Sequence, residues 1–385
     1  MAGRRGNGEG SIYYSDKLNR WVGQFTAGVK TNGMPNRKSV YGKTRKDVSE
    51  KITKALNEIK EHTFVDKSDI TLIQLIEENI EDKFRANKTS ATTYLRDKET
   101  IKTITNIENT IANKKIQKIT EKDLKDFFSK ITNYSNSNID KIYSCINSAF
   151  KKAVYYNILH TNPLGNSFEV IKPKSSNPTK LVQALTIEEQ KKLLSVLSDK
   201  EFNHKYRKII ILMLFTGMRV GEALALTSDN IDFDNNIIKI RNTLTKDKSG
   251  KVIIGNKTKT YQSVRDIQML PLVKELLKDI KPKNEHNLIF YDNIKKEIIT
   301  PTKVNCYLQR LAKKYDIAES IHNHMLRHTY ATRCIESGMT AVVLAKKLGH
   351  KDVSITLNTY TSVFAKFEDT QDDRFIDYLA KEKLM

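Results

Sequence analysis

Arg219, the run His324-Met325-Leu326-Arg327, and the run Leu348-Gly349-His350 with Tyr360 ten residues further on together describe an anion site with a nucleophile in it. Arginine stays charged at any cellular pH and presents a planar fork of donors matched to phosphate oxygens, so Arg219 and Arg327 are assigned to the anion. Tyr360 is then the nucleophile. A phenol with an ordinary pKa of about 10 attacks poorly at neutral pH, and it needs a proton acceptor and a positive field. His324 or His350 can supply the acceptor and the arginines the field. Transesterification at a phosphodiester needs these parts: a nucleophile, charge stabilisation on the non-bridging oxygens and a proton for the leaving 5′ oxygen.

Each residue also has a plainer reading. Arg219 could form a surface ion pair with Glu222 at i+3, worth under about 1 kcal/mol, and Tyr360 could be a packed aromatic. His324 and Arg327, at i and i+3, share one face of a helix. His328 is expected to point elsewhere on that helix, and both it and His322 are read as structural or surface histidines.

The charge balance argues for a polyanionic partner, with a merely Lys-rich, soluble protein as the plainer reading. Against 45 Asp and Glu stand 66 Lys and Arg, a formal charge of +21, and a basic surface gains from releasing the counterions condensed on nucleic acid. Cys145, Cys306 and Cys334 lie far apart without a C-x-x-C pair, which fits reduced packing residues better than a disulfide frame or a zinc site. No HExxH or clustered-carboxylate pattern suggests a metal, and no glycine-rich Lys-Ser/Thr loop suggests a nucleotide, so no cofactor is expected. Runs of about 18 apolar residues are absent, and the basic start continues into Gly and polar residues, so no membrane association and a cytoplasmic location are expected.

Three groups of elements would position these residues. Residues 1–64 read as a three-stranded β-sheet (Gly10 to Tyr14, Arg20 to Phe25, Arg37 to Tyr41) followed by a helix that starts at Thr44. Ten Lys or Arg against Glu9 and Asp16 up to residue 46 would suit a sheet lying in a DNA groove; a solvated appendage is the plainer reading. Residues 66–165 show four helical patterns, with Leu72, Tyr94, Leu124 and Ile139 opening the apolar faces. Residues 172–180, basic and Pro-containing without apolar anchors, read as a linker. From 181 to 385 a larger domain opens at the capping box Thr186-Ile187-Glu188-Glu189. An apolar helix near Lys208 to Leu214 follows, and Gly217 then breaks helical propensity so that Arg219 sits at a junction. Strand-like runs follow at 237–240, 251–254 and 263–267, with a turn at Asp247-Lys248-Ser249-Gly250, and helices return from Pro271.

The block Leu214-Phe215-Thr216-Gly217-Met218-Arg219-Val220-Gly221-Glu222-Ala223-Leu224, the block His324-Met325-Leu326-Arg327-His328-Thr329, and Leu348-Gly349-His350 with Tyr360 resemble the three motif blocks of the tyrosine recombinases, above all the integrases of temperate phages and conjugative transposons. The resemblance covers essentially the whole chain. It implies a multidomain, mainly α protein: a small N-terminal three-stranded β-sheet plus helix binding arm sites, a four-helix core-binding domain, and an α+β catalytic domain with a C-terminal tail. The family's catalytic set falls on Arg219, Lys259, His324, Arg327, His350 and Tyr360. Lys259, the leaving-group acid, is placed eight residues before Ile267 of an Arg-x-Ile element. Lys257 competes for the role, and Gln268 stands where the family usually has proline.

The resemblance further implies a site-specific recombinase that integrates and excises a mobile element through a 3′-phosphotyrosyl intermediate, without ATP or a metal ion. Its partners would be double-stranded DNA at core and arm sites, further copies of itself in a homotetramer on DNA, and a directionality factor or host DNA-bending protein. The amphipathic tail after Tyr360 would dock on a neighbouring subunit or on its own domain. Two rival readings are a non-catalytic DNA-binding or architectural regulator, which predicts a missing catalytic residue, and a chromosomal resolvase, which predicts no arm-binding domain.

Overall fold

The structure, a computed structural model, describes residues 10–29, 34–60, 69–108, 111–165, 171–177, 183–198, 204–255, 264–365 and 368–384. The chain divides into two compact units, Met1–Thr179 and Lys180–Met385, and the described residues are mainly helical.

In the first unit, β1 (Ser11–Ser15), β2 (Arg20–Val29) and β3 (Pro35–Gly42) form an antiparallel sheet in that order. β2 runs past its expected end at Phe25. Ile12, Gly23 and Val40 pair across one face, and that face packs on α1 (Arg45–Lys60) through the buried Val48, Ile52 and Ala55. Gly23 permits the close approach, since a Cβ there would lie 2.5 Å from both the Val48 and Ile52 side chains. The Asp47 N–H donates to Thr44 Oγ1 at 3.1 Å, so the helix begins where the sequence signals it. Tyr13, Val22 and Tyr41 pair across the opposite face, with both tyrosines exposed.

Four longer helices follow in this unit: α2 (Leu72–Arg85), α3 (Ala91–Thr105), α4 (Glu121–Ser129) and α5 (Asn136–Tyr155). Thr71, Ser90, Thr120 and Ser135 each cap one of them by accepting a backbone N–H, which satisfies donors that the first helical turn leaves unpaired. Their apolar faces meet in a core that includes Leu72, Ile104, Leu124, Phe127, Ile139 and Phe150. Residues 171–177 are fastened to this bundle by polar groups. Ser176 N donates to Thr132 O at 2.7 Å, Asn177 Nδ2 to Asn133 O at 2.6 Å, and Lys172 pairs with Asp140 at 2.6 Å.

The second unit opens with α6 (Ile187–Ser198), whose capping box closes through Thr186 N to Glu189 Oε2 at 2.8 Å and Glu189 N to Thr186 Oγ1 at 3.1 Å. α7 (Arg207–Thr216) is buried along Ile209 to Leu214, as its uninterrupted apolar run requires, and α8 (Val220–Leu224) follows one turn later. β4 (Ile231–Asp232), β5 (Ile237–Ile240) and β8 (Arg265–Gln268) form one sheet, while β6 (Thr243–Lys246) pairs with β7 (Val252–Gly255) across the expected turn, where Gly250 N donates to Asp247 O. β6 is an addition to the expected strands. α9 (Pro271–Lys278), the short hairpin of β9 (Tyr291–Asp292) and β10 (Glu297–Ile298), and α10 (Pro301–Lys314) complete the main core. Then come α11 (Asn323–Glu336), α12 (Ala341–Leu348), α13 (Val353–Ala365) and α14 (Glu368–Lys381). On α14, Phe375, Ile376 and Tyr378 are exposed, while Arg374 packs against Gly338. No helix among the described residues is long and apolar enough to cross a membrane.

Candidate active site

α7 ends at Gly217, whose φ of 65° is left-handed and whose N–H closes the helix on Met213 O. A side chain there would also collide with Tyr330, whose ring carbon lies 2.4 Å from the Cβ position. The turn delivers Arg219 to the N-cap of α8. Its backbone N–H donates to Glu222 Oε2 at 3.0 Å and its Nη1 to Oε1 at 2.9 Å. The pair read as a surface contact is thus formed, but its carboxylate is 2% exposed, whereas the Arg219 side chain is 37% exposed. A second cation explains how the carboxylate is buried. Arg265 of β8 gives Nη2 to Glu222 Oε2 at 2.8 Å and Nη1 to Oε1 at 3.2 Å. Burial alone would raise the Glu222 pKa, but the Arg265 hydrogen bonds and charge, with Arg219, outweigh it and hold the carboxyl at about 2.

α11 carries Arg327 into the same region, where it is 3% exposed. Nη1 donates to Gly217 O at 2.8 Å and Nη2 to Leu348 O at 2.7 Å. Burial and the Arg219 charge push its pKa down to about 9, which leaves it charged at neutral pH. Arg327 Nη2 also stands 3.0 Å from His350 Nε2, and His350 Nδ1 lies 2.8 Å from Thr356 Oγ1. Because arginine can only donate, Nε2 of His350 accepts and Nδ1 carries the proton toward the threonine. Burial, then the charges of Arg327 and Arg219, lower the His350 pKa to about 4, so the ring is neutral.

Tyr360 interrupts α13 with φ −119° and ψ 17° and is buried among Ala331, Cys334, Leu344 and Leu348. Burial raises its pKa to about 12 against the opposing charge of Arg327. His328, not His324 or His350, meets its hydroxyl, with Nδ1 2.8 Å from Oη. The expectation that His328 points away from the site is therefore corrected. His324 and His328 are i and i+4, so one helical face carries both, and their rings stack with centroids 6.0 Å apart. That spacing was the available signal. His322 does have a structural role, its Nδ1 accepting the Met325 N–H at the start of α11. Burial, then Arg327 and Arg219, lower the His324 pKa.

Arg219, His324, Arg327, His350 and Tyr360 thus share one neighbourhood in the second unit. Lys259 and its competitor Lys257 lie outside the described residues, between β7 and β8.

An arginine released at a helix junction, a His-x-x-Arg helix and a tyrosine at a helix break, joined in one α+β unit, are the elements of a tyrosine recombinase. Residues 183–366 match the model described as the phage integrase family. A protein named tyrosine recombinase XerC-like, from Caldanaerobacter subterraneus subsp. tengcongensis, is 27% identical over 382 residues, covering 91% of this chain and 95% of the other. The integrase of Staphylococcus phage L54a is 26% identical, covering 78% of this chain and 90% of the phage protein. Among solved structures, a fragment of the Tn1549 transposon integrase in complex with a circular intermediate DNA superposes with a TM-score of 0.64 at 22% identity, covering 76% of this chain and 95% of that one. A lambda integrase dimer bound to a core site gives 0.54 at 15% identity, covering 93% and 96%. At these identities the two structures speak for the fold.

Proposed function

We propose that this chain is a site-specific DNA recombinase that integrates and excises a mobile element. Tyr360 attacks a scissile phosphodiester, leaving a 3′-phosphotyrosyl link and a free 5′-hydroxyl. The link conserves the bond energy, so a 5′-hydroxyl from the partner duplex rejoins the strand without ATP, and two rounds of exchange pass through a Holliday junction. Arg219 and Arg327 stabilise charge on the non-bridging oxygens, His324 and His350 complete the polar wall of the site, and Lys259 protonates the leaving 5′ oxygen.

The observation that carries this reading is the convergence of Arg219, Arg327 and His350, drawn from three separate segments, around the region where Tyr360 is held. The same reading assigns the basic sheet of residues 1–64 to arm sites, the helices of 66–165 to the core site, and the exposed Phe375, Ile376 and Tyr378 of α14 to contact with a neighbouring subunit in a DNA-bound homotetramer. A directionality factor or host DNA-bending protein would set the direction. The test is incubation with nicked suicide DNA substrates: the wild type accumulates a covalent protein–DNA adduct and Tyr360→Phe accumulates none while still binding the DNA. A wild type that yields no adduct on its own attachment sites overturns the reading.

A further inference from the structure

The phenol of Tyr360 is 3% exposed, so bulk water cannot take its proton where it stands, and a protein group must. Of the three histidines near it, His350 has both ring nitrogens engaged, Nε2 by Arg327 and Nδ1 by Thr356. His324 stacks on His328, with centroids 6.0 Å and ring planes 28° apart. His328 alone reaches the phenol. Its Nδ1 lies 2.8 Å from Oη, and the two rings meet edge to face, at 61° with centroids 5.8 Å apart. The polar edge of the imidazole, not its face, is therefore turned to the hydroxyl.

We propose that His328 is a further catalytic residue of strand cleavage, accepting the Tyr360 proton at Nδ1 as the phenolic oxygen bonds to phosphorus. The proposal rests on the recombinase reading above. In the cleavage step the Oη–H bond breaks and His328 becomes an imidazolium. The Oη–P bond forms while the bond from phosphorus to the 5′ oxygen breaks, and that oxygen takes a proton from the acid assigned to Lys259. In rejoining, the 5′-hydroxyl returns its proton to that lysine, and the imidazolium protonates the departing phenolate.

His328→Asn separates a base from a packing partner. The asparagine amide oxygen can accept a hydrogen bond near the position of Nδ1 but cannot carry a proton away. Single-turnover adduct formation by the full-length variant on a nicked substrate should slow by about 100-fold or more, the usual contribution of a general base, with non-covalent DNA binding unchanged. Replacing Tyr360 with a fluorinated, more acidic tyrosine should restore part of the lost rate. Cleavage by His328→Asn within about threefold of wild type overturns the role of His328 alone, since adduct formation by the wild type keeps the recombinase reading standing. Absence of an adduct with the wild type overturns both. Nitrogen-15 NMR of the wild type gives a measurement that needs no variant: the proposal requires His328 to carry its proton on Nε2, and a proton found on Nδ1 overturns it.

Discussion

Glu222 and Arg265 form a buried ion pair, Oε2 to Nη2 at 2.8 Å, with side chains 2% and 5% exposed. Arg265 also donates Nε to Lys347 O at 2.7 Å, and Glu222 holds Arg219. One carboxylate thus ties α8, β8 and the end of α12 together, and the arginine expected at the phosphate is oriented through it.

Replacing Glu222 by Gln leaves Arg265 buried without its counter-charge. Breaking one side of a buried pair costs about 3–5 kcal/mol. Urea unfolding of the full chain should show a loss of that order, together with slower adduct formation, because Arg219 is no longer held. A variant of unchanged stability would mean that the pair is not buried in solution.

The same pair sets an acid limit. The Glu222 pKa is depressed, from an ordinary 4.5 to about 2, so its contribution is fully present above pH 4.5 and is lost as the pH falls through about 2. The difference corresponds to about 3 kcal/mol. The stability gap between wild type and Glu222→Gln should therefore be widest near neutral pH and narrow steadily below pH 4.5; a gap that widens with acid contradicts the assignment.

Arg219→Lys and Arg327→Lys should differ in kind. Arg327 braces two backbone carbonyls, and charged hydrogen bonds of this sort contribute about 1.5–3 kcal/mol each, so Arg327→Lys should lower stability by about 2–4 kcal/mol as well as activity. Arg219, partly exposed with one carboxylate partner, should lose activity with about 1 kcal/mol or less of stability. Parallel unfolding curves and adduct rates check both.

At Gly217 the left-handed backbone and the Tyr330 ring act together. Gly217→Ala should destabilise by more than about 1 kcal/mol and displace Arg219. The truncation Tyr330→Ala, added to it, should relieve the steric part only, measured as a partial recovery of melting temperature.

Local signals are legible in the sequence. Thr120 and Thr186 start helices as their capping patterns require, Gly217 ends α7, and Asp247 to Gly250 form the turn. What escaped depends on distant partners. β6 has Leu244 as its one apolar residue beside two threonines and becomes a strand by pairing with β7. Glu222 looked like a surface partner because Arg265, 43 residues on, is what allows its burial. His328 differs: the i+3 relation of His324 to Arg327 marks one face of α11, and the equally good i+4 relation of His324 to His328 places that histidine on it too, against the expectation.

Arg327 joins Gly217, 110 positions before it, to Leu348, 21 positions after it. Mutational decay should follow that asymmetry. A copy of this protein drifting toward inactivity can shed the Tyr360 hydroxyl and remain a sound DNA-binding scaffold, whereas one that sheds the Arg327 guanidinium loosens the scaffold itself. Dead but well-folded descendants should therefore be found with the tyrosine altered and the arginine still in place.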